Sequence, residues 1–335
     1  MGIDLLNRLG FQIIHKSDSQ SISAVCNNPS SSNSILREFP ELLKPGGYIS
    51  GYEHKPRILT TVHPVSQPQR RLPLALQPMV EKKLREMEAD GIIEKIDSSE
   101  WVSNMVVVKK SDGDIRICCD LSSANKAVVA DKFPLPTMEE LSRDLAGSKY
   151  FSKIDLKGAY LQVRLADSAR DLTAMITPIG LYRWKRLPFG LSSAPSAFQK
   201  IITDILTGCE GARNLLDDLI ICGSTLPEHD QRLRAVLHAL TKHNVKLNAD
   251  KCIFGVTELD FVGHHISGDG ITPLQSNVDS LLSIPSPKNQ KQLRQFLGAA
   301  NYYLKFVENF ASTAEPLRHL LKMDVQFDWS SDCQS

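Results

Sequence analysis

No stretch of the 335 residues approaches the ~18 consecutive apolar side chains that a membrane-spanning helix needs, so the sequence offers no membrane span and no membrane partner. The start, MGIDLLNRLG, also lacks the basic opening and long apolar run of a signal peptide. Charge of one sign is missing too. With 39 basic and 38 acidic residues the net charge is +1, so any nucleic-acid contact must come from local patches and not from a global field. The seven cysteines (26, 118, 119, 209, 222, 252 and 333) are odd in number and never spaced C-x-x-C. That argues against a disulfide scaffold or a structural zinc site and makes a reducing compartment the default. These absences predict an intracellular soluble protein. Its 42% hydrophobic and 23% charged residues are those of an ordinary globular chain, long enough for two compact units plus accessory segments.

Residues 1–14 are apolar with helical spacing at Leu5, Leu6 and Leu9, and the Ser/Asn-rich run 17–34 reads as a flexible linker. Prolines at 40, 45, 56, 64, 68 and 73 keep 35–75 loop-rich, so the packed unit is expected to begin near Leu74. Pro78 fits the first turn of a helix with Val80, Leu84 and Met87 on one face and Gly91 closing it. MVVVKK (105–110) and IRICC (115–119) flank SDGD, which predicts a β-hairpin. Further helices are expected at 137–147, 195–207, 228–243 and from Lys288, with strand-like segments over 252–267. Helices mixed with antiparallel strands argue for an α+β fold.

The most informative feature is NLLDDLIIC (214–222), in which Asp217 and Asp218 stand side by side in an apolar run. Adjacent carboxylates repel and resist desolvation, so strand stability alone does not place them there. A surface hairpin with Asp-Asp in its turn is the competing reading. Asp155 ends YFSKI and precedes LKGAY, where a helix N-cap is the alternative role. Three carboxylates at strand ends could hold two hard divalent cations through oxygen, and such a pair of ions clamps an in-line phosphoryl transfer.

Seven segments share an order and spacing that resemble the reverse transcriptases of gypsy-type LTR retrotransposons, and through them those of retroviruses. They are KYFSKIDLKGAYLQVRL (149–165), LYRWKRLPFGLSSAPSAFQ (181–199), NLLDDLIICG (214–223), EHDQRL (228–233), VKLNADKCIFG (245–255), FVGHHIS (261–267) and LRQFLGAANYYLKFV (293–307). The similarity spans about 35–335. At the ends, GIDLLNRLGF resembles the C-terminal tail of a retropepsin-type protease without its D-[ST]-G signature, and FDWSSDCQS resembles the approach to a ribonuclease H domain.

The resemblance implies a right-hand polymerase. Residues 1–16 would be the protease remnant and 17–73 a linker and extended approach. Fingers and palm would occupy 74–267, thumb and connection 268–325, and the truncated start of ribonuclease H 326–335. The implied activity is RNA-directed DNA polymerisation on a primed RNA or DNA template, using deoxynucleoside triphosphates and two Mg²⁺ ions, with Mn²⁺ as a substitute. Asp155, Asp217 and Asp218 match the metal-binding aspartates, with Asp155 and Asp217 the more direct ligands. Tyr160 matches the steric gate that excludes a ribose 2′-hydroxyl. Lys109, or its neighbour Lys110, and Arg116 match the triphosphate-holding cations of the fingers hairpin. Phe189 and Gly190 match the lining of the nucleotide pocket, and Lys251 matches a contact to the leaving phosphates. Val262, Gly263 and His264 match the primer grip.

Two acid-free basic runs agree with phosphate binding: Arg183, Lys185, Arg186 and Lys200, and Lys288, Lys291, Arg294 and Lys305 interleaved with Phe296, Tyr302, Tyr303 and Phe306. The family also implies a cytoplasmic location (a virus-like particle for an active element), with other Pol domains such as ribonuclease H and integrase, or a second copy, as partners. Leu215 stands where the family's Y-x-D-D box has tyrosine, and Glu100 and Asn104 stand where prolines are common. A non-enzymatic, co-opted fragment that only binds nucleic acid or a partner is the alternative function. Tyr160 argues against a third, an RNA-templated RNA polymerase.

Overall fold

The computed structural model describes residues 34–335 apart from 110–112, 130–132, 308, 323, 331–332 and 334–335. The protease-like segment 1–16, most of the Ser/Asn-rich run and Lys110 lie outside the described residues. The chain divides between Thr257 and Glu258 into two compact units. That point precedes by about ten residues the position where the sequence reading begins the thumb.

In the first unit the strands are β1 (Glu53–His54), β2 (Ile93–Ile96), β3 (Ser103–Lys109), β4 (Ile115–Cys119), β5 (Tyr150–Asp155), β6 (Arg164–Leu165), β7 (Met175–Thr177), β8 (Gly180–Trp184), β9 (Ala212–Leu215), β10 (Asp218–Gly223) and β11 (Ile253–Val256). Its main helices are α1 (Gln77–Ala89), α2 (Met138–Leu145), α3 (Ala194–Ile205) and α4 (Leu226–Lys242). One sheet runs β2-β8-β7-β3-β4 and carries the expected β3–β4 hairpin, with Val107 opposite Ile117. A second, wholly antiparallel sheet runs β11-β5-β10-β9.

Sequence chemistry sets the helix limits. In α1, Val80, Leu84 and Met87 form the buried stripe, and Gly91 just beyond takes φ +63°. Helix α2 starts at a capping box, in which the Thr137 hydroxyl accepts from the Glu140 N–H and the Glu140 carboxylate accepts from the Thr137 N–H. The long helix α4 lays Leu233, Val236, Leu237 and Leu240 on β5 and β10.

Residues 35–73 are not an unpacked approach. Ile35, Leu42 and Ile49 are fully buried in the same core as the sheets. Apart from the two-residue pairing of β1 with β6, this proline-rich segment is tied by single hydrogen bonds. The Ile49 N–H donates to the Gln162 carbonyl at 2.7 Å, and the Leu247 N–H donates to the Leu42 carbonyl at 2.9 Å. A rule that equates proline-rich sequence with linker misses apolar side chains spaced along an irregular path.

The second unit holds a three-stranded meander, β12 (Glu258–Phe261), β13 (His264–Ser267) and β14 (Gly270–Pro273), followed by α5 (Gln275–Leu282) and α6 (Gln290–Asn301). Its own core gathers Leu281, Leu293, Phe296, Ala300, Phe310 and Leu317. The strand-like run 252–267 is thus split, with β11 completing the first unit's sheet and β12 opening the second unit.

Replacement of the buried Leu42 by alanine is expected to cost about 2–5 kcal/mol of unfolding free energy, as for other core leucines. Urea unfolding of Leu42→Ala checks this, and an unchanged midpoint would mean that the segment is dispensable to the core.

Candidate active site

Asp155 is the last residue of β5 and Asp218 the first of β10, and the register sets them directly opposite each other. Opposed residues on antiparallel strands project from the same face, and alternation puts Lys153 and Ile220 on that face as well. The reverse face packs on helices. Ser152 lies against His229 of α4, and Asn214 lies against α3. Phe151, Ile220 and Cys222 on the carboxylate face are buried as well, so that face is accessible only at its end, where the carboxylates stand.

Asp217 occupies the turn between β9 and β10. Its predecessor Leu216 takes φ +56°, a left-handed conformation that costs energy for any residue bearing a Cβ. Buried Gln199 on α3 clamps that turn from both sides. Its Oε1 accepts from the Leu216 N–H at 2.7 Å, and its Nε2 donates to the Asn214 carbonyl at 2.9 Å. Thr203 adds a hydroxyl donated to Asn214 Oδ1 at 3.1 Å.

The electrostatics follow from the crowding. The Asp217 carboxyl lies above its ordinary value of 3.8. Although the residue is exposed by area, the protein packed around its carboxyl is the largest cause, and the charges of Asp218 and Asp155 add to it. Lys251 opposes the shift. Two lysines stand among the three acids: Lys153 Nζ is 3.2 Å from Asp218 Oδ1, and Lys251 Nζ is 3.9 Å from Asp155 Oδ2. Among the described residues no three His, Cys, Asp or Glu side chains are grouped tightly enough to hold a metal ion as they stand. The donor type is nonetheless that of a hard divalent cation, namely carboxylate oxygen with excess negative charge.

Beyond β5 the chain turns sharply at Gly158 (φ +69°) and Ala159 (φ +40°) and delivers Tyr160 beside this edge. Its ring lies 5.2 Å from Phe189 and, edge-on, 5.2 Å from Phe198. Burial raises the Tyr160 hydroxyl pKa, and the charge of Asp217 raises it further, which marks the two residues as neighbours. The Arg116 guanidinium stands over the Phe189 ring at 5.1 Å. Arg116, Phe189, Tyr160 and Asp217 thus form one continuous lining. Gly190 (φ +94°) lets the backbone pass Cys119, whose carbonyl oxygen would be 3.3 Å from an added Cβ. Asn125 pins the same loop, donating to the Gly190 carbonyl at 2.8 Å and accepting from the Ser192 N–H at 2.9 Å.

Lys109 sits opposite Ile115 and Arg116 opposite Val108, so the two cations emerge from opposite faces of the hairpin. Arg183, in the first acid-free run, is committed to Glu94 and Asp171, each at 2.7 Å. Those carboxylates lie outside the run, Glu94 far from it in sequence, and an acid-free run does not reveal them. In the second unit, Val262 (φ +46°) and Gly263 (φ +78°) form the two-residue turn that joins β12 to β13. His264 beyond it is buried against the rings of Tyr302 and Phe306. Of the aromatics in the second basic run, Phe296 is core, while Tyr302 is 57% exposed.

Comparison with known proteins accounts for this arrangement. Residues 108–266 match the family model described as reverse transcriptase (RNA-dependent DNA polymerase). The Transposon Tf2-3 polyprotein of Schizosaccharomyces pombe is 34% identical over 275 residues, covering 79% of this chain and 21% of that protein. The retrovirus-related Pol polyprotein from transposon 412 of Drosophila melanogaster is 34% identical over 262 residues, covering 76% of this chain and 21% of that protein. Among solved structures, a foamy viral protease-reverse transcriptase in complex with double-stranded DNA superposes with a TM-score of 0.74 at 23% identity, over 90% of this chain and 54% of that one. The fold is therefore that of a right-hand polymerase. The chain thus carries a reverse transcriptase family match over residues 108–266, is 34% identical to retrotransposon polyproteins, and spans about a fifth of the length of the curated relatives it matches.

Two outcomes follow for this site. Gln199→Leu should lower stability by about 1–3 kcal/mol, because two buried backbone groups lose their partner, and a variant as stable as the parent in urea would remove the clamp. Because the folded-state pKa of Asp217 is raised, the folded chain binds its proton more tightly than the unfolded chain does. Stability therefore falls as pH rises from 3.8 through the raised value. In chelated buffer, Asp217→Asn should thus melt above the parent at neutral pH and level with it below the ordinary aspartate range. A lower melting temperature at neutral pH would contradict the shift.

Proposed function

We propose that this chain is an RNA-directed DNA polymerase that adds deoxynucleotides to a primer 3′ end on an RNA or DNA template. The observation that carries the reading is the direct opposition of Asp155 and Asp218 across β5 and β10, with Asp217 in the adjoining turn, in a chain that matches the reverse transcriptase family model. Asp155 and Asp217 would ligate divalent metal, Mg²⁺ or in its place Mn²⁺, with Asp218 adding negative charge beside them. Such ions supply Lewis-acid activation of the attacking oxygen and charge neutralisation at the leaving phosphates.

The remaining chemistry belongs to the chain's own side chains. Arg116, above Phe189, meets triphosphate oxygens with a forked donor pair, and Lys109 adds a point charge from the other face of the hairpin. Lys251, exposed and next to Asp155, is placed to balance charge on the departing pyrophosphate. Tyr160, backed by Phe189 and Phe198, cannot swing away from an incoming sugar and so excludes a 2′-hydroxyl. Gly190 lets the loop behind Phe189 pass close to the Cys119 backbone. Val262, Gly263 and His264 form a rigid turn suited to gripping a primer end by backbone contact. Nucleic acid as partner is supported by the foamy viral relatives, which were solved with double-stranded DNA and with an RNA/DNA hybrid.

Primer extension on an RNA template tests the reading, with Mg²⁺ or Mn²⁺ and with Asp217→Asn beside the parent. Incorporation by the parent and a loss of about 10³-fold or more in the variant are expected, the scale of removing an electrostatic group that acts on the transition state. A folded parent that binds primed template without extending it would favour the non-enzymatic alternative. In the same assay Tyr160→Ala should admit ribonucleotides, and unaltered sugar discrimination would remove the gate.

A further inference from the structure

The three carboxylates do not stand alone, and their two lysines are unequal. Lys153 lies two residues before Asp155 on β5, on the same face, opposite Ile220 and hence diagonal to Asp218. Its Nζ approaches Asp218 Oδ1 to 3.2 Å, and the two side chains are only 22% and 28% exposed. Lys251 reaches Asp155 at 3.9 Å from a side chain that is 67% exposed, a contact that solvent screens. Among the described residues Asp217 has no ion pair. One acid is therefore firmly paired, one loosely, and the third feels Lys251 only from beyond ion-pair distance.

We propose that Lys153 is a positioning residue that serves as a built-in counter-cation, holding Asp218 out of the metal-ligand set. Divalent metal is then taken by Asp155 and Asp217, with an affinity that Lys153 sets. The inference rests on the reading of these aspartates as the metal-holding groups. Its physics is competition. A divalent ion that recruited Asp218 would have to break this shielded ion pair. The lysine also lowers the repulsion between Asp155 and Asp218, so the carboxylates can lie face to face while metal is exchanged.

The test is Mn²⁺ binding to the full chain, followed through the electron paramagnetic resonance signal of free Mn²⁺, with circular dichroism to confirm folding. Lys153→Met should bind Mn²⁺ roughly five- to tenfold more tightly, because Asp218 becomes a ligand, and should melt at a lower temperature in chelated buffer. Lys153→Arg keeps the charge and should keep the parent's affinity. The gain should vanish when Lys153→Met is made in an Asp218→Asn background, since it runs through that carboxylate. An affinity unchanged or weakened in Lys153→Met, or a gain that survives Asp218→Asn, would overturn the role of Lys153. A parent site indifferent to Asp155→Asn, or no saturable site in the folded parent, would instead overturn the carboxylate reading, and the lysine's role with it. Lys153→Gln serves as the neutral variant where methionine prevents folding.

Discussion

The arrangement depends on the antiparallel pairing of β5 with β10. Six consecutive pairs, from Asp218 with Asp155 to Gly223 with Tyr150, fix the register. A slip of one residue would turn Asp155 and Lys153 toward α4 and bring Ser152 and Ile154 to the face that now carries the carboxylates. The pairing is unfavourable at its end, where two acids oppose each other, and favourable along its length, where Ile154, Leu219 and Ile221 are fully buried. Burial of about 1.5–3 kcal/mol per large aliphatic side chain exceeds the repulsion of partly screened carboxylates. The core thus holds in place charges that would not assemble by themselves.

Around that edge, three local devices determine what a ligand would meet. Gln199 holds a strained turn by both of its amide atoms, so Asp217 is presented from a fixed loop. The aromatic run from Phe198 through Tyr160 to Phe189 stiffens the wall beside it and carries Arg116 on its far end. Asn125 fastens the Gly190 loop to the region that follows β4. Two of these devices work through a side-chain amide bonded to backbone, and the third through ring packing.

Much of this was legible in the sequence, for identifiable reasons. Periodicity showed α1 and α4 because their apolar faces repeat every three to four residues, and the DG turn between two β-branched runs showed the β3–β4 hairpin. The carboxylates were conspicuous because Asp217 and Asp218 interrupt an apolar run. Three things were hidden. Ile35, Leu42 and Ile49 pack along an irregular path without period, so the proline content concealed a piece of the core. Gln199 and Asn125 act through backbone partners distant in sequence, and nothing beside them signals this. Arg183 reads as a free cation until Glu94 and Asp171 arrive from other elements, and the separation of Lys109 from Arg116 follows only from the register.

The central claim is that divalent metal sits at the β5–β10 edge, and the direct test is to let the metal report its own position. Fe²⁺ in place of Mg²⁺, with ascorbate and peroxide, generates hydroxyl radicals that cut the backbone within a few ångströms of the ion. The account predicts cleavage clustered around Asp155 and around Asp217–Asp218, competed away by excess Mg²⁺. Cuts elsewhere, or cuts that Mg²⁺ does not suppress, would contradict it.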